Sequence, residues 1–238
     1  MEYVSVIVCH YGLIDDFGET SAGSNPIKRS ELIRITLESL FKNTDYPAEI
    51  IVVDNGGNPD DTDYFLEKVR EGKINTLVRF KNNMHFAYAW NTGAKIATGR
   101  FLSFVCNDIE FGPKWLSTCI ALLEKYKERK LIATPFISYD KKRNTFEVTD
   151  DARFNNRSGS NCNVMRREDF EILGDWPVHK KGGTLWYNNL FRQGYRTVAP
   201  ATDLALDRGW RMGVNFSIPI EVKKILLDGT EIHFEMKQ

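Results

Sequence analysis

Two carboxylates, Asp108 and Glu110, stand two residues apart directly behind the apolar run Phe101-Leu102-Ser103-Phe104-Val105-Cys106. A hard divalent cation takes oxygen ligands, and at phosphate sites it combines one or two protein carboxylates with phosphate oxygens. The same spacing also suits a strand-end Asp that caps a turn or the helix beginning near Pro113. Asp54 closes a second apolar run and precedes Asn55-Gly56-Gly57. It could hydrogen-bond a nucleobase or ribose, or simply close a tight turn. Tyr11 and His10 follow the first run; Tyr11 could stack on a base or pack, and His10 is a general base by type or a structural strand-end residue. By spacing, His85, His179 and His233 form no constellation.

Several chemistries lack their residues. No Gly-x-Gly-x-x-Gly follows the first apolar run and no Gly-Lys-Ser/Thr follows any, which excludes the dinucleotide fingerprint and the P-loop. No Gly-x-Ser-x-Gly elbow is present. The cysteines Cys9, Cys106, Cys119 and Cys162 form no C-x-x-C pair, and there are only 4 His. That argues against a zinc site and a disulfide scaffold. A nucleotide held without a glycine cradle needs a substitute, usually a cation bridging carboxylates and diphosphate.

The elements that must position these residues read as alternating strands and helices. Val4–Cys9, Glu49–Asp54 and Phe101–Cys106 are near-continuous apolar runs, the pattern of strands buried on both faces, and Thr76–Phe80 reads as another strand. Ser30 suits the N-cap of a helix carrying Leu32, Ile33, Leu37, Leu40 and Phe41. Further helices are expected after Asp60 or Asp61, from Phe86 to Ala97, and from Pro113 through Leu123. Such alternation argues a parallel sheet with right-handed crossovers. Ligands then sit at the carboxyl ends of the strands, where His10, Tyr11, Asp54, Asn55, Asn107, Asp108 and Glu110 converge.

The second half is less regular. Strands are expected at Leu131–Pro135, Thr145–Val148, Arg196–Val198 and Leu204–Leu206. Short helices are expected at Glu168–Leu173 and Leu185–Gln193. The stretch Asp150–Asn163 reads as a polar loop, and Ser138–Ser160 as a loop-rich insertion in one domain. Strands around an Asp228-Gly229 turn close the chain. The Gly12–Arg29 stretch is long for a structureless loop in a compact domain, which suggests a lid.

The 238 residues are 42% hydrophobic and 27% charged, ordinary globular composition. Lys+Arg and Asp+Glu are 32 each, so no global attraction to nucleic acid follows. Polar residues interrupt every apolar run before a membrane-spanning length, and Met1-Glu2-Tyr3 lacks a signal-peptide start. The expectation is a cytoplasmic protein, or one peripheral to a membrane, with no transmembrane segment.

These pieces together resemble a family 2 glycosyltransferase of rhamnosyltransferase-like type. The resemblance is carried by Val4–Val8 with Tyr11, by Glu49–Gly57, and by Asn83-Met84-His85-Phe86-Ala87 with Asn91-Thr92-Gly93. It continues through Ala97-Thr98-Gly99 and Phe101–Phe104 to Asn107-Asp108-Ile109-Glu110. A looser match runs through Met165-Arg166-Arg167, Leu173-Gly174, Gly194-Tyr195-Arg196 and Pro200, so that residues 3–209 are covered. The resemblance implies an α/β GT-A fold, a Rossmann-like, mostly parallel central sheet with helices on both faces and a loop-rich acceptor-side half. It implies one domain over residues 1–238: a nucleotide-sugar-binding half (1–112), an acceptor-side half (113–210) and a C-terminal extension (211–238).

The implied activity is an EC 2.4-type, hexosyltransferase-like transfer of sugar from a nucleoside-diphosphate donor to an acceptor hydroxyl, with inversion and with Mn²⁺ or Mg²⁺. A UDP-sugar is the first expectation, a GDP- or dTDP-sugar the next. By position, Tyr11, Asp54, Asn83, Asn91, Asn107 and Asp108 belong to donor binding, and Asp108, Asp207 and Glu110 to the metal. Cys106 falls where the family carries its first metal-motif acid. Gly182 and Gly183 fall where it carries the catalytic carboxylate, which leaves Asp175 as the nearest candidate base. Acceptors in view are a glycan, a lipid carrier or a small molecule, with a nucleic acid less favoured; the oligomeric state is not implied. The alternatives are a nucleotidyltransferase on a similar sheet and a non-catalytic nucleotide-sugar-binding module lacking the base.

Overall fold

A computed structural model describes residues 3–11, 29–136, 145–155, 161–179, 182–208, 220–225 and 231–236. The expected lid, all but its last residue, the expected turn at Asp228-Gly229, and part of the Ser138–Ser160 stretch lie outside them.

β1 (Val4–His10) is buried along its whole length. It pairs in parallel with β2 (Ala48–Asp54) on one side and with β4 (Phe101–Cys106) on the other. β3 (Thr76–Arg79) adds in parallel outside β2. The nine-stranded sheet continues through β9 (Cys162–Arg166), β6 (Leu131–Ala133), β10 (Arg196–Pro200), β8 (Ala152–Asn155) and β7 (Thr145–Val148). Only β9 and β8 run against the rest, so the sheet is mostly parallel in direction, as expected.

Alternation in β1 divides the core. Val4, Val6 and Val8 face α1 (Arg29–Asn43), α2 (Pro59–Arg70) and α4 (Trp115–Lys125), through Leu37, Phe65 and Trp115. Ile7 and Cys9 face α3 (Phe86–Ile96), α5 (Arg167–Leu173) and α6 (Gly182–Arg192), through Trp90, Phe170 and Trp186. Gly93 lets α3 lie directly on β1, since a Cβ there would come 2.3 Å from the Ile7 Cγ2.

The structure corrects four details. α1 begins at Arg29, so Ser30 is inside it. Pro113 precedes α4, which starts at Trp115 after Lys114 turns left-handed at φ 63°. Asp150–Asn163 is not a plain loop: it contains β8 and the start of β9, and with β7 the Ser138–Ser160 stretch carries a hairpin on the sheet edge. The polar stretch that precedes it hid the start of β9, whose Asn163 is fully buried and accepts the Tyr187 hydroxyl at 2.9 Å. Finally, Ile109–Phe111 is a strand, β5, which pairs with β11 (Ala205–Asp207) in a separate ladder. The closing strands are β12 (Ile220–Ile225) and β13 (Glu231–Met236), paired antiparallel as expected.

Candidate functional site

Register brings the sequence-predicted polar residues to one edge. His10 lies opposite Asp54 across β1/β2, and Cys9 opposite Cys106 across β1/β4, so Asn107 emerges beside His10. The His10 Nδ1 is 2.9 Å from the Asn107 Nδ2, and its Nε2 is 2.8 Å from the Asp61 Oδ2. Tyr11 follows half-buried.

Asp54 is fully buried and already engaged. Its Oδ1 accepts the Gly57 N–H at 2.6 Å; its Oδ2 accepts the Thr62 hydroxyl at 2.9 Å and faces the Arg79 guanidinium at 3.3 Å. The turn network thus engages both carboxylate oxygens, and Arg79 is committed to Asp54. Burial, together with the Asp54 charge, pushes the Cys9 thiol up to about 12. Asn83 accepts the Asn55 amide at 3.0 Å and the His85 N–H at 2.8 Å, which closes the 82–85 loop against the β2 turn. Gly56 permits this contact: it sits at φ 83°, and a Cβ would lie 2.7 Å from the Asn82 carbonyl carbon.

The β5/β11 ladder carries the acids. Asp207 is buried opposite Ile109, and the Arg208 N–H donates to the Asp108 carbonyl oxygen at 2.7 Å. Cys106 registers both charges: burial first, then Asp108, Cys9, Asp207 and Cys162, hold its thiol well above the usual range. Glu110 faces elsewhere, in an ion pair with the Arg208 guanidinium. Asp207 also accepts the Asn161 amide at 3.2 Å. Among the described residues no group of three His, Cys, Asp or Glu is placed to hold a metal. The two carboxylates beside Cys106 at the sheet edge are oxygen donors of the kind a divalent cation takes, and would fit one that phosphate oxygens and water also held.

Two predicted site residues, Asn91 for the donor and Asp175 for the base, are not brought to this edge. Asn91 is buried and bonded to the Trp176 backbone. Asp175 is exposed, 3.6 Å from the Lys95 ammonium, beside a cavity of about 290 Å³ along α3. A parallel crossover starts its helix at the strands' carboxyl edge and runs it away from that edge. Lys95 is near the far end of α3, so Asp175 is not brought to Asp54, Asn107 and Asp108. Trp176 and Trp186 stack at 3.9 Å and 17° and are buried in the core.

Sequence spacing missed His85 and His179. His85 N-caps α3, with its Nδ1 accepting the Ala87 N–H at 3.2 Å, and it bonds the His179 backbone. Its φ is 78°, a conformation that strains a side chain-bearing residue. α6 begins nearby, where a Cβ on Gly183 would lie 3.9 Å from the Phe86 Cζ.

Comparisons with known proteins agree with this architecture. The profile described as Glycosyl transferase family 2 matches residues 27–180. Among solved structures, Staphylococcus aureus TarS 1-349 is 21% identical with a TM-score of 0.59, over 86% of this chain and 60% of that one. The mannosyltransferase PcManGT from Pyrobaculum calidifontis, in complex with GDP-Man and Mn²⁺, is 17% identical with a TM-score of 0.63, over 88% and 58%. GalNAc-T7 with UDP, GalNAc and Mn²⁺ is 16% identical with a TM-score of 0.57, over 89% and 44%. At these identities the likeness is one of fold, and the chain spans no more than 60% of the length of each of these structures. No curated protein matches.

Proposed function

Since the chain belongs to glycosyl transferase family 2 and has the GT-A fold, we propose that it transfers a hexose from a nucleoside-diphosphate donor to an acceptor hydroxyl, with inversion. The observation that carries this reading is the meeting of Asp108 and Asp207 at the carboxyl edge of the sheet, next to Asp54 and Asn107. A bound Mn²⁺ or Mg²⁺ would supply charge neutralisation for the departing diphosphate, with Asp108 and Asp207 as its protein oxygens. Glu110 is set aside for Arg208. Tyr11, Asp54 and Asn107 contact the nucleoside. Asn83 supports the site through the loop it ties down, whereas Asn91 ties α3 to Trp176.

The acceptor oxygen attacks the anomeric carbon as the bond to diphosphate breaks, and its proton passes to a base. Asp175 is the carboxylate proposed by position, and its place along α3 speaks against that role. This observation favours the second reading, a nucleotide-sugar-binding module without its base. The acceptor classes in view are a glycan, a lipid carrier and a small molecule. No helix of the described residues is long and apolar enough to cross a membrane. We read residues 1–238 as one domain, with the donor half ending near residue 112.

Donor turnover measured with Mn²⁺, with and without acceptor pools, tests the reading. Acceptor-stimulated release of UDP, GDP or dTDP supports transfer. Donor binding without stimulated release supports the binding module, and no binding of any nucleotide sugar refutes both.

A further inference from the structure

We propose that His10 and Asp61 are positioning residues that turn the Asn107 amide so its carbonyl oxygen faces the ligand. Asn107 then accepts a hydroxyl of the nucleotide sugar instead of donating to the diphosphate. The inference rests on the nucleotide-sugar reading above and deepens it.

The argument follows the hydrogen atoms. Asp61 is fully buried, and a carboxylate only accepts. Its Oδ2 receives the Asn58 amide at 3.0 Å and faces the His10 Nε2 at 2.8 Å. Nε2 must therefore carry the hydrogen. In a neutral imidazole the other nitrogen is then an acceptor. The Asn107 side chain, 2.9 Å from Nδ1, must present its NH₂ there. The Oδ1 of Asn107 is left facing away from His10. The orientation of an amide follows from such a network rather than from the shape of the side chain.

The relay is held rigidly. His10 has no exposed surface, and Phe65 packs edge-on to its ring at 5.3 Å and 79°. Asp61 is anchored in the first turn of α2, where Asn58 caps its N–H at 2.8 Å. Its Oδ1 is buried with no hydrogen-bond partner among the described residues. A neutral side chain such as Ser or Asn at this first-turn position would avoid that desolvation cost. Retaining a carboxylate here is explained by the demand that His10 donate.

The consequence is a division of labour between adjacent residues. An outward carbonyl oxygen repels phosphate oxygens and accepts a hydroxyl. Asp108, next in the chain, faces the cation and diphosphate. The hydroxyl belongs either to the ribose or to the transferred sugar, and both present the same chemistry.

The test is titration calorimetry with Mn²⁺ on the full chain, comparing UDP with 2′-deoxy- and 3′-deoxy-UDP, UDP with UDP-glucose, and inorganic pyrophosphate alone; the GDP series replaces UDP if GDP binds better. The variants are H10L, H10Q and D61N, each with a melting curve. Glutamine can donate to Asp61 and accept from Asn107, so H10Q keeps the amide direction. Leucine frees the amide, and in D61N the new amide can reverse the ring. We expect either the ribo/deoxy preference or the UDP-glucose/UDP preference to fall about fivefold in H10L and D61N, the worth of one hydrogen bond. We expect H10Q to retain it, with pyrophosphate affinity unchanged throughout. Should H10L fail to fold, D61N against H10Q decides. Preferences unchanged in D61N, or ribo/deoxy, UDP-glucose/UDP and pyrophosphate affinities all weakened alike, overturn the inference alone. A wild-type protein that binds pyrophosphate but no nucleotide overturns the parent reading and this one with it.

Discussion

The side-chain amide of Asn91 is bonded to the backbone of Trp176 in both directions: Nδ2 donates to the Trp176 carbonyl oxygen and Oδ1 accepts the Trp176 N–H, each at 2.9 Å. An amide bonded this way imitates a neighbouring strand. It ties α3 to the chain between α5 and α6 and seats Trp176 on Trp90 and Trp186. Asn91→Ala leaves two buried backbone groups unpaired and is expected to cost about 2–3 kcal/mol. That corresponds to a fall of roughly 4–12 °C in Tm for a chain of this size. Donor affinity of the folded fraction should be little changed. A melting curve beside a donor titration checks both.

Asp108 and Glu110 are separated by what each faces. Asp108→Ala is expected to abolish Mn²⁺ binding and to cut turnover by about a hundredfold or more, the scale of a lost electrostatic partner in the transition state. Glu110→Gln breaks only a partly exposed ion pair with Arg208, a change of about 1 kcal/mol or less. Mn²⁺-dependent donor turnover of the two variants, measured side by side, would contradict this assignment if they fell equally.

Asp175 makes an exposed contact with Lys95. Asp175→Asn should keep turnover within a factor of about three of the parent, the scale of an exposed ion pair. A loss of several orders of magnitude in kcat, with KM unchanged, would restore Asp175 as the base.

Burial holds the His85 imidazole below its ordinary range; the bond to the His179 backbone opposes this, and the His179 ring adds to it. A depressed folded value means the unfolded chain takes up the proton first as pH falls. Stability from this group is thus complete above the unfolded value of about 6.5 and declines below it until folded His85 protonates as well. Protonation also removes the acceptor that caps α3. Urea midpoints at stepped pH should fall more steeply below neutrality for the parent than for His85→Asn, and parallel profiles would exclude the effect.

Much of the fold was legible because the strands buried on both faces leave near-continuous apolar runs, as in Val4–Cys9 and Phe101–Cys106, and because Asn55-Gly56-Gly57 admits few readings other than a turn. β9 and β5 were not legible. β9 is short and interrupted by Asn163, and is buried because β4 and β6 flank it. β5 is three residues long and exists only because β11, nearly a hundred positions later, pairs with it.

Residue types and local order determined by themselves that Asp54, Asn107 and Asp108 would end parallel strands at one edge, since hydrophobic period and chain direction are properties of contiguous sequence. The tertiary structure alone decided their partners. The Arg208 N–H meets the Asp108 carbonyl oxygen and its guanidinium takes Glu110, Trp176 takes Asn91, and Asp61 meets His10. Each of these pairings joins residues tens of positions apart, and no local pattern encodes which distant group will arrive within hydrogen-bonding reach.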